Sequence, residues 1–162
     1  MSKERYISAK EAWARKQVAK GVRSQTVASE ERLPPGQKFT SNFPVLDLGI
    51  KPDVPLEEWT LDMAGEVENP LTLDWAAFNA LPQVEDVSDF HCVTTWSKFD
   101  CRWGGLAFTE LYEQVRPKAE AKFVYFTGYD GYTTNIPLAQ CLDDDVLIAT
   151  HFDGEPVSLE HG

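Results

Sequence analysis

The chain has 162 residues, 43% of them hydrophobic, 25% charged and 12% aromatic. That composition excludes a disordered or fibrous polymer and suits one ordinary domain, or one domain with a short appendage. The net charge of −11 is unevenly divided: residues 1–38 hold nine Lys/Arg against four Asp/Glu, and residues 39–162 hold six against 22. A body that acidic repels polyphosphate, so no nucleic-acid partner is expected for it. No apolar run approaches the ~20 residues of a membrane-spanning helix, so no membrane partner is expected either.

In chain order, Ser8-Ala9-Lys10-Glu11 reads as a capping box that opens a helix running to about Lys20, with Gly21 suited to the left-handed residue that ends it. Its apolar face is thin, with Ala9, Ala12, Trp13 and Ala19. Residues 22–38 are polar, and Leu33-Pro34-Pro35-Gly36 reads as the end of a linker. The domain boundary is therefore drawn between a basic helical arm and linker, 1–38, and a body, 39–162. The basic arm reads as a solvated tail rather than a docking element. No apolar stretch of a secretory signal follows the first charges, which predicts a cytoplasmic protein. Three cysteines without paired spacing, Cys92, Cys101 and Cys141, agree with a reducing compartment.

Within the body, prolines 44, 52 and 55 predict an extended, irregular start. Trp59, Leu61 and Met63 alternate with polar residues and predict a strand ending at Gly65. A turn at Glu68-Asn69-Pro70 leads to Leu71-Thr72-Leu73, and Asp74 caps a short helix through Trp75, Phe78 and Leu81 that Pro82 stops. Residues 83–93 read as a strand leading into a long loop. A helix is predicted from Thr109 to Val115, a hairpin around Tyr129-Asp130, a short helix opened by Pro137, and a last strand from Asp145 to Phe152. Short strands interspersed with short helices, without regular alternation, predict an α+β domain.

One segment stands out chemically: Phe90-His91-Cys92-Val93-Thr94-Thr95-Trp96-Ser97, continuing to Cys101-Arg102-Trp103-Gly104-Gly105. A cysteine at a strand end, followed by hydroxyl residues, a tryptophan and a glycine pair, marks a place where a ligand approaches the backbone. By residue type alone the cysteine reads as a small buried hydrophobe. The spacing does not suit zinc, because no C-x-x-C is present and adjacent strand residues such as His91 and Cys92 point to opposite faces. A nucleophilic pair of Cys92 with His151 or His161 stays open, since spacing does not establish proximity.

The run Cys92-Val93-Thr94-Thr95-Trp96-Ser97 with Arg102-Trp103-Gly104-Gly105 resembles the molybdopterin-binding domain of the sulfite oxidase family, including its bacterial members. The likeness covers most of residues 39–162. Its parts occur in the family's order: an Asn within Phe39-Thr40-Ser41-Asn42-Phe43-Pro44-Val45, the cysteine loop, Phe126-Thr127-Gly128-Tyr129-Asp130, Ile136-Pro137-Leu138, Asp153-Gly154-Glu155-Pro156 and His161-Gly162. The resemblance implies a sulfite oxidase-type α+β fold and a molybdenum-molybdopterin cofactor with Cys92 as metal ligand. It also implies that Asn42, Phe43, Thr95, Asp130 and His161 hold the pterin and its phosphate. A soft thiolate suits molybdenum, and one cysteine suffices where the pterin dithiolene supplies further sulfurs. Thr94, two residues beyond the ligand, is placed to face the metal and joins Cys92 as a catalytic candidate. The implied activity is transfer of an oxygen atom or paired electrons to or from a small-molecule substrate. No haem-attachment C-x-x-C-H is present, so a separate electron-transfer protein is expected.

Two departures sharpen the expectation. Ser41 and Phe43 stand where sulfite oxidases carry Arg and His around the motif's Asn. Losing a bidentate oxyanion donor disfavours sulfite as the substrate. The family's two cations that follow His-Gly and bind the phosphate are not in this sequence, and no Lys or Arg lies in residues 123–162. An incomplete catalytic domain is therefore expected. The rival reading from a different class is a cofactor-free binding or scaffold domain that retains the fold, and the weakest is a hydrolase using Cys92.

Overall fold

The computed structural model describes residues 32–46 and 49–161. The predicted helix from Ser8 to Lys20 and most of the linker lie outside the described residues. The elements in chain order begin with strand β1 (Lys38–Phe39), β2 (Thr60–Met63), β3 (Leu71–Asp74), helix α1 (Trp75–Ala80), β4 (Gln83–Cys92) and β5 (Trp96–Ala107). They continue with α2 (Phe108–Val115), β6 (Phe123–Thr127), β7 (Thr133–Pro137), α3 (Leu138–Cys141), β8 (Leu147–Phe152) and β9 (Glu155–Pro156). This is an α+β fold. Among the described residues, no helix is long and apolar enough to cross a membrane.

The chain forms two compact units. One is built from residues up to Gly49 together with Val87–Arg102 and His161; the other from Ile50–Asp86 and Trp103–Glu160. Strands β4 and β5 pair with each other, and each contributes residues to both units.

The second unit holds the aliphatic core. Leu73, Phe78, Leu106 and Leu111 are buried together, with Trp59, Leu61, Met63, Leu71, Leu81 and Ile148 packed around them. Strands β2 and β3 pair antiparallel with Leu61 opposite Leu73, so the alternation read from Trp59-Leu61-Met63 does face a core. Asp74 caps α1 as expected: its carboxylate accepts the Ala77 N–H at 2.7 Å. Helix α2 buries Phe108, Leu111 and Val115 on one stripe and ends at Arg116, whose φ is 49°. The β6–β7 hairpin runs from Phe123 opposite Pro137 to Thr127 opposite Thr133. At β8–β9, Asp153 and Gly154 both have positive φ (52° and 84°), the geometry of the two-residue turn that Asp-Gly favours.

One expectation needs correction here. No long loop follows Cys92: only Val93, Thr94 and Thr95 separate β4 from β5, which continues as a 12-residue strand. A three-residue hairpin loop requires a left-handed residue, and Thr95 adopts one with φ 69°. Sequence reasoning looks for Gly or Asn there and so misses it. The glycine pair, in turn, lies against strand β8. The register between β5 and β8 shifts at Gly104/Gly105. A Cβ on Gly105 would lie 2.1 Å from the Ile148 carbonyl oxygen, so only glycine admits β8 this closely.

Candidate functional site

The first unit is organised around the closed end of the β4–β5 hairpin. Its apolar centre is Trp96, which is 1% exposed. Phe90 stacks on Trp96 with ring centroids 5.3 Å apart, and Phe43 meets it edge-on at 5.4 Å. Strand β1 runs parallel to β5, setting Lys38 beside Trp96 and Phe39 beside Ser97.

Cys92 is the last residue of β4 and is half-buried. Its sulfur lies 3.1 Å from the Thr94 hydroxyl. Its carbonyl accepts the Thr95 N–H at 2.9 Å, closing the turn, and the Gln37 amide at 3.1 Å. Thr94 is itself buried, while Val93 at the tip is 93% exposed. The loop thus turns Thr94 inward onto the sulfur and Val93 outward.

The Asn42 segment belongs to the same unit. Thr40 is fully buried, and its hydroxyl accepts the Asn42 N–H and donates to the Asn42 carbonyl, both at 3.2 Å. That local clasp fixes the backbone and leaves the Asn42 side chain exposed. Lys98 donates to the Ser41 carbonyl at 3.1 Å, so a cation from β5 stands beside the residue where sulfite oxidases carry Arg. Phe43 packs its ring edge-on against His161 with centroids 5.0 Å apart, and its carbonyl accepts the His161 ring N–H at 3.1 Å.

One buried polar atom is orphaned. Trp96 Nε1 has no hydrogen-bond partner among the described residues. Buried indole N–H groups are normally paired.

Cys92, Thr94, Thr95, Asn42, Phe43 and His161 therefore fall in one unit. Asp130 falls in the other, in the β6–β7 turn, where its carboxylate accepts the Tyr132 N–H at 2.9 Å. His151 also lies in that second unit. His91 is exposed and bonds Ser97 Oγ through Nδ1 at 2.8 Å.

Sequence reasoning missed the residues that brace this end. Arg32, read as part of a solvated tail, is engaged: Nε donates to Asp89 at 2.9 Å, Nη2 donates to Asp89 and also to Asp100 at 2.7 Å. Its guanidinium lies 4.6 Å from the Phe99 ring centre. These bonds, Asp100 first, hold Arg32 in its charged form, and Arg32 holds the Asp89 carboxyl below the usual carboxylate range. Asp89 and Asp100 stand 57 and 68 residues from Arg32, so no local motif announces the contact.

The donor set fits a cofactor that brings most of its own ligands. Among the described residues no group of three or more His, Cys, Asp and Glu side chains is placed to hold a metal ion. Cys92 offers one soft sulfur, which is compatible with a cofactor that supplies further sulfurs of its own. The Asn42 side-chain amide is exposed, whereas the Trp96 indole nitrogen is enclosed by protein.

Comparison with known proteins agrees. The family model described as the oxidoreductase molybdopterin binding domain matches residues 48–162. Over 135 residues the chain is 39% identical to the uncharacterized oxidoreductase YuiH of Bacillus subtilis, covering 81% of this chain and 67% of that protein. It is 37% identical over 94 residues to the protein-methionine-sulfoxide reductase catalytic subunit MsrP of Campylobacter jejuni, covering 58% of this chain and 29% of MsrP. The crystal structure of the sulfane dehydrogenase SoxCD from Paracoccus pantotrophus shares the fold, with a TM-score of 0.62 at 16% identity over 86% of this chain and 46% of that one. The chain thus spans about two thirds of YuiH and less than a third of MsrP.

Proposed function

Because this chain belongs to the molybdopterin-binding oxidoreductase family, we propose that Cys92 is the protein ligand of a molybdenum-molybdopterin cofactor. The protein then transfers an oxygen atom or two electrons to or from a small substrate. The observation that carries the reading is the half-buried Cys92 sulfur at a closed hairpin end with the Thr94 hydroxyl 3.1 Å away. When bound, the cofactor supplies two-electron redox chemistry at its metal.

The chain's own residues do the holding. Cys92 would hold the metal as a thiolate, and Thr94, whose hydroxyl lies 3.1 Å from the sulfur, would donate to it and fix its direction. Thr95 presents its side chain from a left-handed backbone beside the ligand. Asn42 offers an exposed amide, and Phe43 and His161 form a braced wall. Asp130 is assigned to the pterin-holding set by the family resemblance alone.

Ser41 in place of an arginine favours a neutral or weakly polar substrate over sulfite. A separate electron-transfer protein completes the reaction, in keeping with a relative named as a catalytic subunit. We infer a cytoplasmic activity carried by the body from residue 39 onward, to which Arg32, Gln37 and Lys38 at the end of the preceding segment are bound.

Metal analysis of protein purified from a cofactor-competent host tests this. Wild type carries molybdenum and Cys92→Ser loses it; a wild-type protein free of molybdenum refutes the proposal.

A further inference from the structure

The residues that the family model matches begin at 48, yet the hairpin carrying Cys92 is clasped by a segment that precedes them. Lys38 donates its N–H to the Thr95 carbonyl at 3.1 Å, and Thr40 donates to the Ser97 carbonyl at 2.8 Å. Between the hairpin's two strands lies the Gln37 side chain. Its Nε2 donates to the Cys92 carbonyl on β4 at 3.1 Å, and its Oε1 accepts Ser97 Oγ from β5 at 3.4 Å.

We propose that Gln37 is the positioning residue for Cys92. This rests on the reading of Cys92 as the metal ligand and goes beyond it.

Hydrogen-bond direction fixes the arrangement. The Cys92 carbonyl can only accept, so the amide nitrogen of Gln37 must face it and the amide oxygen must face Ser97. Ser97 Oγ, fully buried, then gives its one proton to Gln37 and takes the Nδ1 proton of His91 at 2.8 Å. The chain of donors therefore runs from His91 through Ser97 to Gln37 and ends on the residue bearing the sulfur.

A primary amide does this without charge. It donates and accepts from one planar group, where Glu cannot donate, Lys and Arg cannot accept, and Asn is shorter by one methylene. The Cys92 carbonyl already holds the Thr95 N–H. Gln37 takes the remaining lone pair and ties the ligand's backbone to β5 across the loop. Ligand sulfurs lose metal when their supports are left loose, and such outer contacts are worth roughly 10–100-fold in metal affinity.

The test uses the 162-residue chain with Gln37→Met, which removes donor and acceptor, and Gln37→Glu, which removes the donor alone. Alkylation of each cysteine is followed by peptide mapping in cofactor-free protein, with the buried Cys101 and Cys141 as internal references. The expected result is that Cys92 labelling accelerates about fivefold in both variants while the other two cysteines keep their rates. Molybdenum retained after dialysis of protein from a cofactor-competent host falls about tenfold. Thr72→Val, which removes an exposed hydrogen bond in the other unit, leaves both readouts at the wild-type value.

Equal acceleration at all three cysteines, or no fold in either Gln37 variant, makes Gln37 a general stabiliser and overturns the inference. So does a wild-type labelling rate at Cys92 in both variants. Cys92→Ser, run alongside, judges the ligand assignment separately: if that variant still retains molybdenum, the assignment falls whatever Gln37 does to labelling.

Discussion

Lys38 donates its backbone N–H at 3.1 Å to the carbonyl of Thr95, a β-branched residue whose φ is 69°. A threonine pays for the left-handed conformation with crowding between its Cβ and the carbonyl. Strain of this kind persists where surrounding bonds over-determine the backbone, and it collects at functional sites. Here the over-determination comes from the Lys38 bond above and the Thr95-to-Cys92 turn bond below.

Thr95→Gly relieves that crowding. The variant is expected to gain about 0.5–1 kcal/mol, the left-handed penalty less the extra freedom glycine has when unfolded. Urea unfolding of the cofactor-free chain checks the direction. A lower midpoint for the variant would mean that the Thr95 side chain supplies more stability than its backbone stores as strain.

Arg32 and Asp89 supply a pH-dependent contribution with a definite sign. Arg32 holds the Asp89 carboxyl below its ordinary range. Stability from a depressed carboxyl is present above the unfolded pKa and is lost as pH falls through the folded one. Arg32 does not titrate in that window, because a guanidinium stays protonated far above it. Wild type is therefore expected to melt above Arg32→Gln at neutral pH, with the gap closing as the solution is acidified through and below the carboxylate range. The Arg32 side chain is 43% exposed, so salt should narrow the gap as well. A gap that widens on acidification would contradict this arrangement.

Gly105 and its neighbour separate a backbone requirement from a side-chain one. A Cβ at Gly105 would meet the Ile148 carbonyl at 2.1 Å and the Ala149 Cα at 2.9 Å, whereas at Gly104 the nearest atom is the His151 Cβ at 3.3 Å. Gly105→Ala is expected to cost about 3 kcal/mol, because β8 must retreat to make room. Gly104→Ala requires a shift of a few tenths of an ångström and is expected to cost under about 1 kcal/mol. Comparing the two urea midpoints tests the ordering; equal losses would place the close approach elsewhere.

The sequence alone, 162 residues with an acidic body and a basic start, was enough to determine the α+β class and most of the short elements. Their signals are local: Asp74 sits three residues from the N–H it caps, and Asp153-Gly154 carries its own turn. The family was legible too, because its motifs recur in order around Cys92. What only the tertiary structure decided is which distant groups hold the Cys92 hairpin. Gln37 reaches Cys92 across 55 residues, and Arg32 reaches Asp89 across 57. Nothing in either neighbourhood marks the pairing, since a Gln and an Arg in a polar segment suit solvent equally well. The glycine pair adds to this, for its close partner, strand β8, lies more than 40 residues away in the chain. Local sequence determines which backbone conformations are cheap; which distant group occupies the space beside them is settled only when the chain closes on itself.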